Sequence, residues 1–154
     1  MRCAAPRNED NGMNIEIRFQ TIWYDQDVVK LRVSAWNGDF DGAAEVYEGI
    51  GDMHKAAAQL QGFPRNPSDT RELIFGTFDR KCTGGGVSMR FHCTDSAGHA
   101  HVETRIDSSV LSGGTFETVL LAMPIEATAV DLFVRELQRM EEDRSSTAHL
   151  TGLV

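Results

Sequence analysis

Two segments near the start of the chain alternate between apolar and polar residues. In MNIEIRFQTIW every second residue from Met13 to Phe19 is apolar, and VVKLRVSAW repeats this pattern from Val29 to Ala35. A period of two is typical of a strand that buries one face. The short polar segment at 24–27 joins the two strands, so the pattern predicts an antiparallel hairpin.

Further along the chain, the pattern changes to helical steps of three and four residues. It predicts a helix over 41–61, with Asp41 as its N-cap. Gly49 and Gly51 lie inside this segment, and each weakens a helix by about 1 kcal/mol relative to Ala. The sequence leaves open whether the helix runs unbroken through them. The apolar residues that define the pattern are Ala43, Val46, Tyr47, Ile50, Met53, Ala57 and Leu60.

The second half of the chain predicts four strands and a final helix. A strand at 72–78 precedes a glycine run at 84–86, which we interpret as a flexible connection because it opens no helix and no Lys-Ser/Thr pair follows it. The strands VSMRFHCT, HAHVETRI and TFETVLLAM come next. Pro124 is predicted in the first turn of the final helix. The apolar stripe of that helix comprises Val130, Phe133, Val134, Leu137 and Met140.

The predicted order of elements is ββα followed by ββββα, without an internal repeat. Few βα alternations favour a mainly antiparallel sheet. The predicted fold class is therefore α+β, with one sheet of about six strands, two helices packed on one face and the other face open to solvent. A single domain is expected over 13–143, between a disordered leader at 1–12 and a polar tail at 144–154.

The central hairpin of the second half has a register that can be deduced. Pairing Phe91 with Val102 and Val87 with Ile106 matches the apolar faces of the two strands, and it leaves a four-residue loop that ends in Gly98. A shift of one residue would mix apolar and polar residues on both faces, so we reject the shifted register.

The same register defines a polar surface. It places Arg90 opposite Glu103, which is an opposite-charge pair across the strands. His92 lies opposite His101, and His99 follows one step along on the same side. An aromatic residue at the end of the second strand, on its polar side, could also anchor an interface. The candidate partner surface therefore comprises Arg90, His92, His99, His101, Glu103 and Trp36.

The three histidines raise the alternative of a metal site, because imidazoles on facing strands can share an ion. By pattern alone, no carboxylate or cysteine completes such a site, and Glu103 already faces Arg90. The sequence therefore assigns no catalytic, cofactor-binding or metal-ligating residue. No cofactor is expected.

Charge and cysteine content narrow the class of partner and the compartment. The 154 residues include 15 Lys and Arg against 23 Asp and Glu, which gives a formal net charge of -8. Phosphate contacts need concentrated cations, so nucleic acids and anionic membranes are disfavoured and a basic protein partner is favoured. No apolar run reaches the roughly 18 residues of a membrane span. The 3 cysteines indicate neither a disulfide framework nor a zinc site, so a cytoplasmic location is expected.

Turn and core residues around the central hairpin form a further pattern. FGTFDRKCTGGGVSMRFHCTDSAGHAHVE joins an aromatic-Gly strand, a strand that ends in Phe-x-Cys, and Asp-x-x-Gly-His at the start of the next strand. With LLAMPIEATAVDLFVREL, it resembles small bacterial WapI-type immunity proteins over 13–140. The resemblance implies an α+β cytoplasmic antidote that binds a toxin domain, and it carries over no catalytic residue. The matching residues are Phe75, Gly76, Gly86, Phe91, Cys93, Asp95, Gly98 and His99.

These observations favour a non-enzymatic binding protein of the immunity type, with a basic toxin domain as its partner. Two alternatives stay open. The same open face could mediate homo-oligomerisation. His92, His99 and His101 could instead serve a metal-dependent enzyme.

Overall fold

A computed structural model describes residues 14–109 and 114–153 of the chain. The predicted leader at 1–12 and Met13 lie outside the described residues. The elements, in chain order, are β1 (Glu16–Tyr24), β2 (Val28–Trp36), β3 (Asp41–Gly49), α1 (Asp52–Leu60), β4 (Thr70–Gly76), β5 (Gly86–Cys93), β6 (Ala100–Asp107), β7 (Thr118–Ile125), α2 (Ala127–Glu142) and β8 (Thr147–Thr151).

The described strands form two antiparallel sheets of four. Sheet A has the order β3-β2-β1-β8, and sheet B has the order β4-β5-β6-β7. The α+β class and its two helices are therefore confirmed, whereas the single sheet of about six strands is wrong. The two additional strands are β3 and β8, which the sequence pattern did not predict, and the division into two sheets follows from how the strands pair.

The segment predicted as the first half of a helix over 41–61 is strand β3. It pairs with β2 over its whole length, from Asp41 opposite Trp36 to Gly49 opposite Val28. Asp41 is thus the first residue of a strand and not an N-cap. The N-cap of α1 is Gly51, which has a φ of 90°. The predicted helix over 41–61 is therefore not continuous. In a short segment, apolar residues spaced three and four apart can also fit the two-residue alternation of a strand. Pairing with β2 makes this segment a strand.

Two features near the C-terminal end also differ from prediction. Residues 144–154, expected as a polar tail, contain β8, which pairs with β1 and buries Ala148 and Leu150 completely. The segment TAHLT alternates between polar and apolar residues, but with only two apolar residues this signal is weak. Pro124, expected in the final helix, lies in β7, where an edge strand tolerates its missing N–H.

The order of elements repeats, although the sequence shows no repeat. β1, β2, β3, α1 and β4 are followed by β5, β6, β7, α2 and β8 in the same order. In each half the fourth strand joins the sheet of the other half: β4 pairs with β5, and β8 pairs with β1. Each sheet therefore consists of three consecutive strands and one strand contributed by the other half.

Both sheets and both helices contribute to one apolar core. Phe19 of β1 lies at the junction, with its ring centroid 4.8 Å from that of Phe75 in β4 and 5.5 Å from that of Phe133 in α2. The predicted apolar stripe of the final helix is buried, as expected. Because strand residues alternate, each sheet has one face in this core and one open face.

The glycine run between β4 and β5 packs between the two sheets, so the interpretation as a flexible connection is wrong. The Gly85 N–H donates to the carbonyl of Glu45 in β3 at 2.8 Å. A Cβ atom added at Gly85 would lie 2.3 Å from the carbonyl oxygen of Asp107 and 3.1 Å from Cβ of Ala44. Only glycine allows the backbone to approach both sheets this closely.

Several edge-strand backbone groups are also satisfied within the chain. The Leu153 N–H donates to the Pro124 carbonyl at 2.8 Å, and the Asn37 side chain donates to the Ala122 carbonyl at 3.0 Å, both on β7. At β8, a Glu136 carboxylate oxygen accepts the backbone N–H of His149. Edges occupied in this way are poor sites for adding a strand from another protein, so we expect a partner to contact side chains on the open faces or at the ends of the sheets.

The pairing of β8 with β1 predicts that Leu150 is a stability determinant. Leu150→Ala should lower the free energy of unfolding by about 3 kcal/mol, because it removes a completely buried side chain. Leu132→Ala is the matched control, since Leu132 is 51% exposed and its truncation should cost less than about 0.5 kcal/mol. Urea denaturation measures both. Equal stabilities of the two variants would contradict the pairing.

Candidate functional site

The structure confirms the predicted register of the central hairpin. β5 and β6 pair Phe91 with Val102 and Val87 with Ile106, and all four side chains are buried. The opposite side chains of these strands form the open face of sheet B, which is the surface predicted from the sequence.

On this open face, Glu103 interacts with a histidine. Arg90 and Glu103 are register partners as predicted, yet Oε1 of Glu103 lies 3.7 Å from Nε2 of His92. The rings of His92 and His101 are stacked, with centroids 5.8 Å apart and an interplanar angle of 18°. Nδ1 of His101 is buried and has no hydrogen-bond partner among the described residues. The two imidazoles therefore form a half-buried stacked pair.

His99 does not join this pair. Its Nδ1 lies 2.6 Å from Oδ2 of Asp95 in the loop between β5 and β6. The hydrogen bond raises the pKa of His99 and lowers that of Asp95. Throughout residues 14–109 and 114–153, no three His, Cys, Asp or Glu side chains converge as metal ligands. The three-histidine metal site considered from the sequence is therefore not assembled in the described part of the chain.

Trp36 lies on the other sheet. It ends β2 between Glu16 of β1 and Asp41 of β3, and it lines a cavity of about 430 Å³ on the open face of sheet A. The predicted partner surface is thus divided. Arg90, His92, His101 and Glu103 share the face of sheet B, whereas His99 lies in a loop and Trp36 lies on sheet A.

A β-bulge near the end of β1 changes which side chains face outward. The ladder pairs Thr21 with Leu31 and then Trp23 with Lys30, which leaves Ile22 as the extra residue. With strict alternation, Trp23 would follow the buried side chains of β1 into the core. The bulge instead turns it to the open face, where it is 50% exposed.

Four exposed apolar residues lie at the end of sheet A that contains the bulge, and they form a cluster. Gly49 pairs with Val28, so Ile50 follows β3 at the same end as the turn between β1 and β2. We refer to this cluster as the apolar tip. Its members and their exposed fractions are Ile22 (41%), Trp23 (50%), Tyr24 (58%) and Ile50 (49%).

A carboxyl pair lies where β3, α1 and β4 meet. The side chains of Glu48 and Asp52 are hydrogen-bonded to each other, and they line a cavity of about 220 Å³. Glu48 also accepts the backbone N–H of Gly76, and Asp52 accepts that of Gly49 at 2.7 Å. The pair therefore connects three elements through backbone hydrogen bonds.

The two carboxyl groups have different proton affinities. Burial raises the pKa of Glu48 to about 8. Burial also acts to raise the pKa of Asp52, but hydrogen bonds from Glu48 and Gly49 lower it overall. At neutral pH, Glu48 therefore holds the shared proton and Asp52 carries the charge.

Sequence reasoning missed this pair because it assigned both residues to one helix, where carboxylates four residues apart are neighbours but give no sign of burial against β4. The available signal was the Gly-Ile-Gly segment at 49–51, which weakens a helix at this point and favours a new helix that begins at Asp52. The bulge at Ile22 had no such signal, because TIW reads as a continuation of the strand.

Comparisons with known proteins give no relative for this chain: no family model, curated protein sequence or solved structure matches it. Neither helix in the described residues has the length and hydropathy needed to cross a membrane.

The carboxyl pair predicts a specific pH dependence of stability. The pKa of Glu48 rises from an ordinary value of 4.5 to about 8 on folding, so its stabilising contribution is fully present below pH 4.5 and is lost as the pH rises through 8. Glu48→Gln keeps the acceptor for Gly76 and a donor for Asp52 but cannot ionise. We expect it to exceed the wild type in stability above pH 8 by roughly 1–2 kcal/mol, allowing for solvent screening.

Chemical denaturation between pH 5 and pH 9 measures this effect. Glu142→Gln, which removes an exposed carboxyl group from the end of α2, is the control and should follow the wild-type profile. If the Glu48→Gln and wild-type profiles stay parallel over this range, the assignment of the proton to Glu48 is wrong.

Proposed function

We propose that this protein is a non-catalytic binding protein, and that a basic polypeptide docks on its apolar tip. The observation that carries the proposal is the β-bulge that turns Trp23 out of the core, beside three further exposed large apolar side chains. The immunity function implied by the sequence resemblance supplies the kind of partner, a toxin domain.

The composition of the apolar tip supports a protein partner. Trp and Tyr are the residue types that most often dominate binding energy at protein interfaces, because they bury a large area and retain a polar group. Trp23 and Tyr24 are consecutive, and a cavity of about 320 Å³ lies between them and Ser145 in the loop after α2. A side chain from a partner can enter this cavity and pack against the tip.

Charge around the tip supports a basic partner. The carboxylate of Asp25 accepts the N–H groups of Asp27 and Val28, each at 2.8 Å, and these bonds lower its pKa. On the other side, hydrogen bonds from Ser145 lower the pKa of Asp143. The apolar cluster thus has ionised carboxylates on two sides. Two cations also lie beside it, and each is paired with a glutamate: Lys30 with Glu45, and Arg144 with Glu141. The net charge of -8 would also accelerate the approach of a basic partner.

Truncation of the tip tests the proposal. Trp23→Ala and Tyr24→Ala should each weaken the complex with the product of the adjacent gene by at least about tenfold, because each removes buried interface area. Isothermal titration calorimetry on purified proteins measures the affinity. Increasing salt should slow association without abolishing binding.

Phe40→Ala provides a matched control. Phe40 is also an exposed aromatic residue, at 62%, but it lies in the turn between β2 and β3 at the opposite end of sheet A. Its truncation should leave the affinity unchanged. Failure of the two proteins to form a complex, or an equal loss for Phe40→Ala, would refute docking at the tip.

Self-association through sheet B is a second candidate, which two exposed side chains favour. Ile74 on β4 is 58% exposed and Leu120 on β7 is 69% exposed, and both lie in one row across the open face. Ser88 and Arg105 lie between them in that row, and large apolar side chains exposed on a sheet face are a common feature of interfaces. Light scattering at micromolar concentration decides the matter: a monomer eliminates this candidate, whereas a dimer that Leu120→Lys dissociates supports it.

A further inference from the structure

The open face of sheet A contains two adjacent arginines at its centre. Arg18 of β1 is the register partner of Ser34, and Arg32 of β2 lies two residues before Ser34. On neighbouring antiparallel strands such diagonal positions have Cβ atoms roughly 7 Å apart, so the two guanidinium groups can reach one common point. Both arginines are exposed, and both line the cavity of about 430 Å³.

Two carboxylates on this face have other partners. Glu45, the register partner of Arg32 on β3, forms its salt bridge with Lys30 at 3.0 Å. Glu16 lies 2.9 Å from Nδ1 of His149. Within the described part of the chain, neither arginine has a carboxylate within 4.0 Å.

Among the described residues, both arginines have guanidinium donors without a carboxylate acceptor. Like charges on neighbouring strands repel each other, and an anion bound between them would offset that repulsion. The chain has 15 Lys and Arg residues against 23 Asp and Glu residues, so its net charge is negative. The two arginines therefore form a local positive site on a protein of negative net charge. Charges further away than about 8 Å are largely screened at physiological salt, so the local pair determines what binds there.

Two carboxylates in the same cavity limit what the ligand can be. Glu16 and Asp41 line the cavity together with the two arginines. A polyanion such as a nucleic acid would meet these carboxylates, whereas a small molecule with one anionic group and a neutral or cationic remainder would not. The cavity volume is also within the range of small-molecule sites.

We propose that this cavity is a binding site for a small molecule with a single oxyanion group, either phosphate or carboxylate. The guanidinium groups of Arg18 and Arg32 hold the oxyanion by paired N–H donors, and the Ser34 hydroxyl lies beside them as a further donor. The carboxylates of Glu16 and Asp41 face the remainder of the ligand. This site is separate from the apolar tip and does not depend on docking there.

NMR titration of the full chain tests the site. The probes are inorganic phosphate, acetate and phosphoethanolamine, which combines one phosphate with an ammonium group. Saturable shifts of the backbone amides in β1 and β2 and of the arginine side-chain N–H resonances are expected, with a dissociation constant of about 1 mM or below for at least one probe. Phosphoethanolamine should bind more tightly than phosphate, because Glu16 and Asp41 can contact its ammonium group. The comparison of phosphate with acetate identifies the oxyanion.

Two variants and a control assign the binding to the arginines. Arg18→Gln and Arg32→Gln should each weaken binding by about tenfold or more, because each removes one charged donor fork. Arg135→Gln, on the exposed side of α2, removes the same charge elsewhere and should leave binding unchanged. Each variant is first checked for the wild-type spectrum outside β1 and β2. Shifts that remain unsaturated at about 10 mM for all three probes, or variants that bind like the wild type, would overturn the proposal.

Discussion

The exchange of one strand between the two halves is the constraint on which the rest of the structure depends. β8 pairs with β1 and β4 pairs with β5, so each sheet is completed only when the two halves meet. The contact between Phe19, Phe75 and Phe133 lies where these strands and α2 converge. Neither half has a complete sheet or a closed core by itself, and this explains why the described chain forms one core.

Local patterns predicted the elements that have enough residues to show a period. β2 was predicted at its observed bounds, and the register of β5 with β6 followed from matching Phe91 to Val102. β3 was mistaken for a helix, because its apolar residues fit both periods and only pairing with β2 distinguishes them. β8 alternates over only five residues with two apolar side chains, so its signal is weak. The division into two sheets could not be predicted, since strand exchange is a long-range property.

The candidate sites depend on local irregularities and on burial more than on regular alternation. The open faces followed from alternation, and with them the positions of Arg18, Arg32, Arg90 and Glu103. The apolar tip exists because one bulge shifts Trp23 to the other face of the sheet. No turn-forming residue in the sequence indicates that bulge. The proton shared by Glu48 and Asp52 depends on burial, which sequence spacing does not report.

The repeated order of elements has a consequence for shorter chains. A polypeptide with only β1, β2, β3, α1 and β4 would have an unpaired edge on β1 and a β4 with no sheet to join. Two copies could meet both needs by giving each other their fourth strands, as domain-swapped dimers do. The topology is therefore that of a domain-swapped dimer of two subunits with the same order of elements, joined into one polypeptide by residues 77–85.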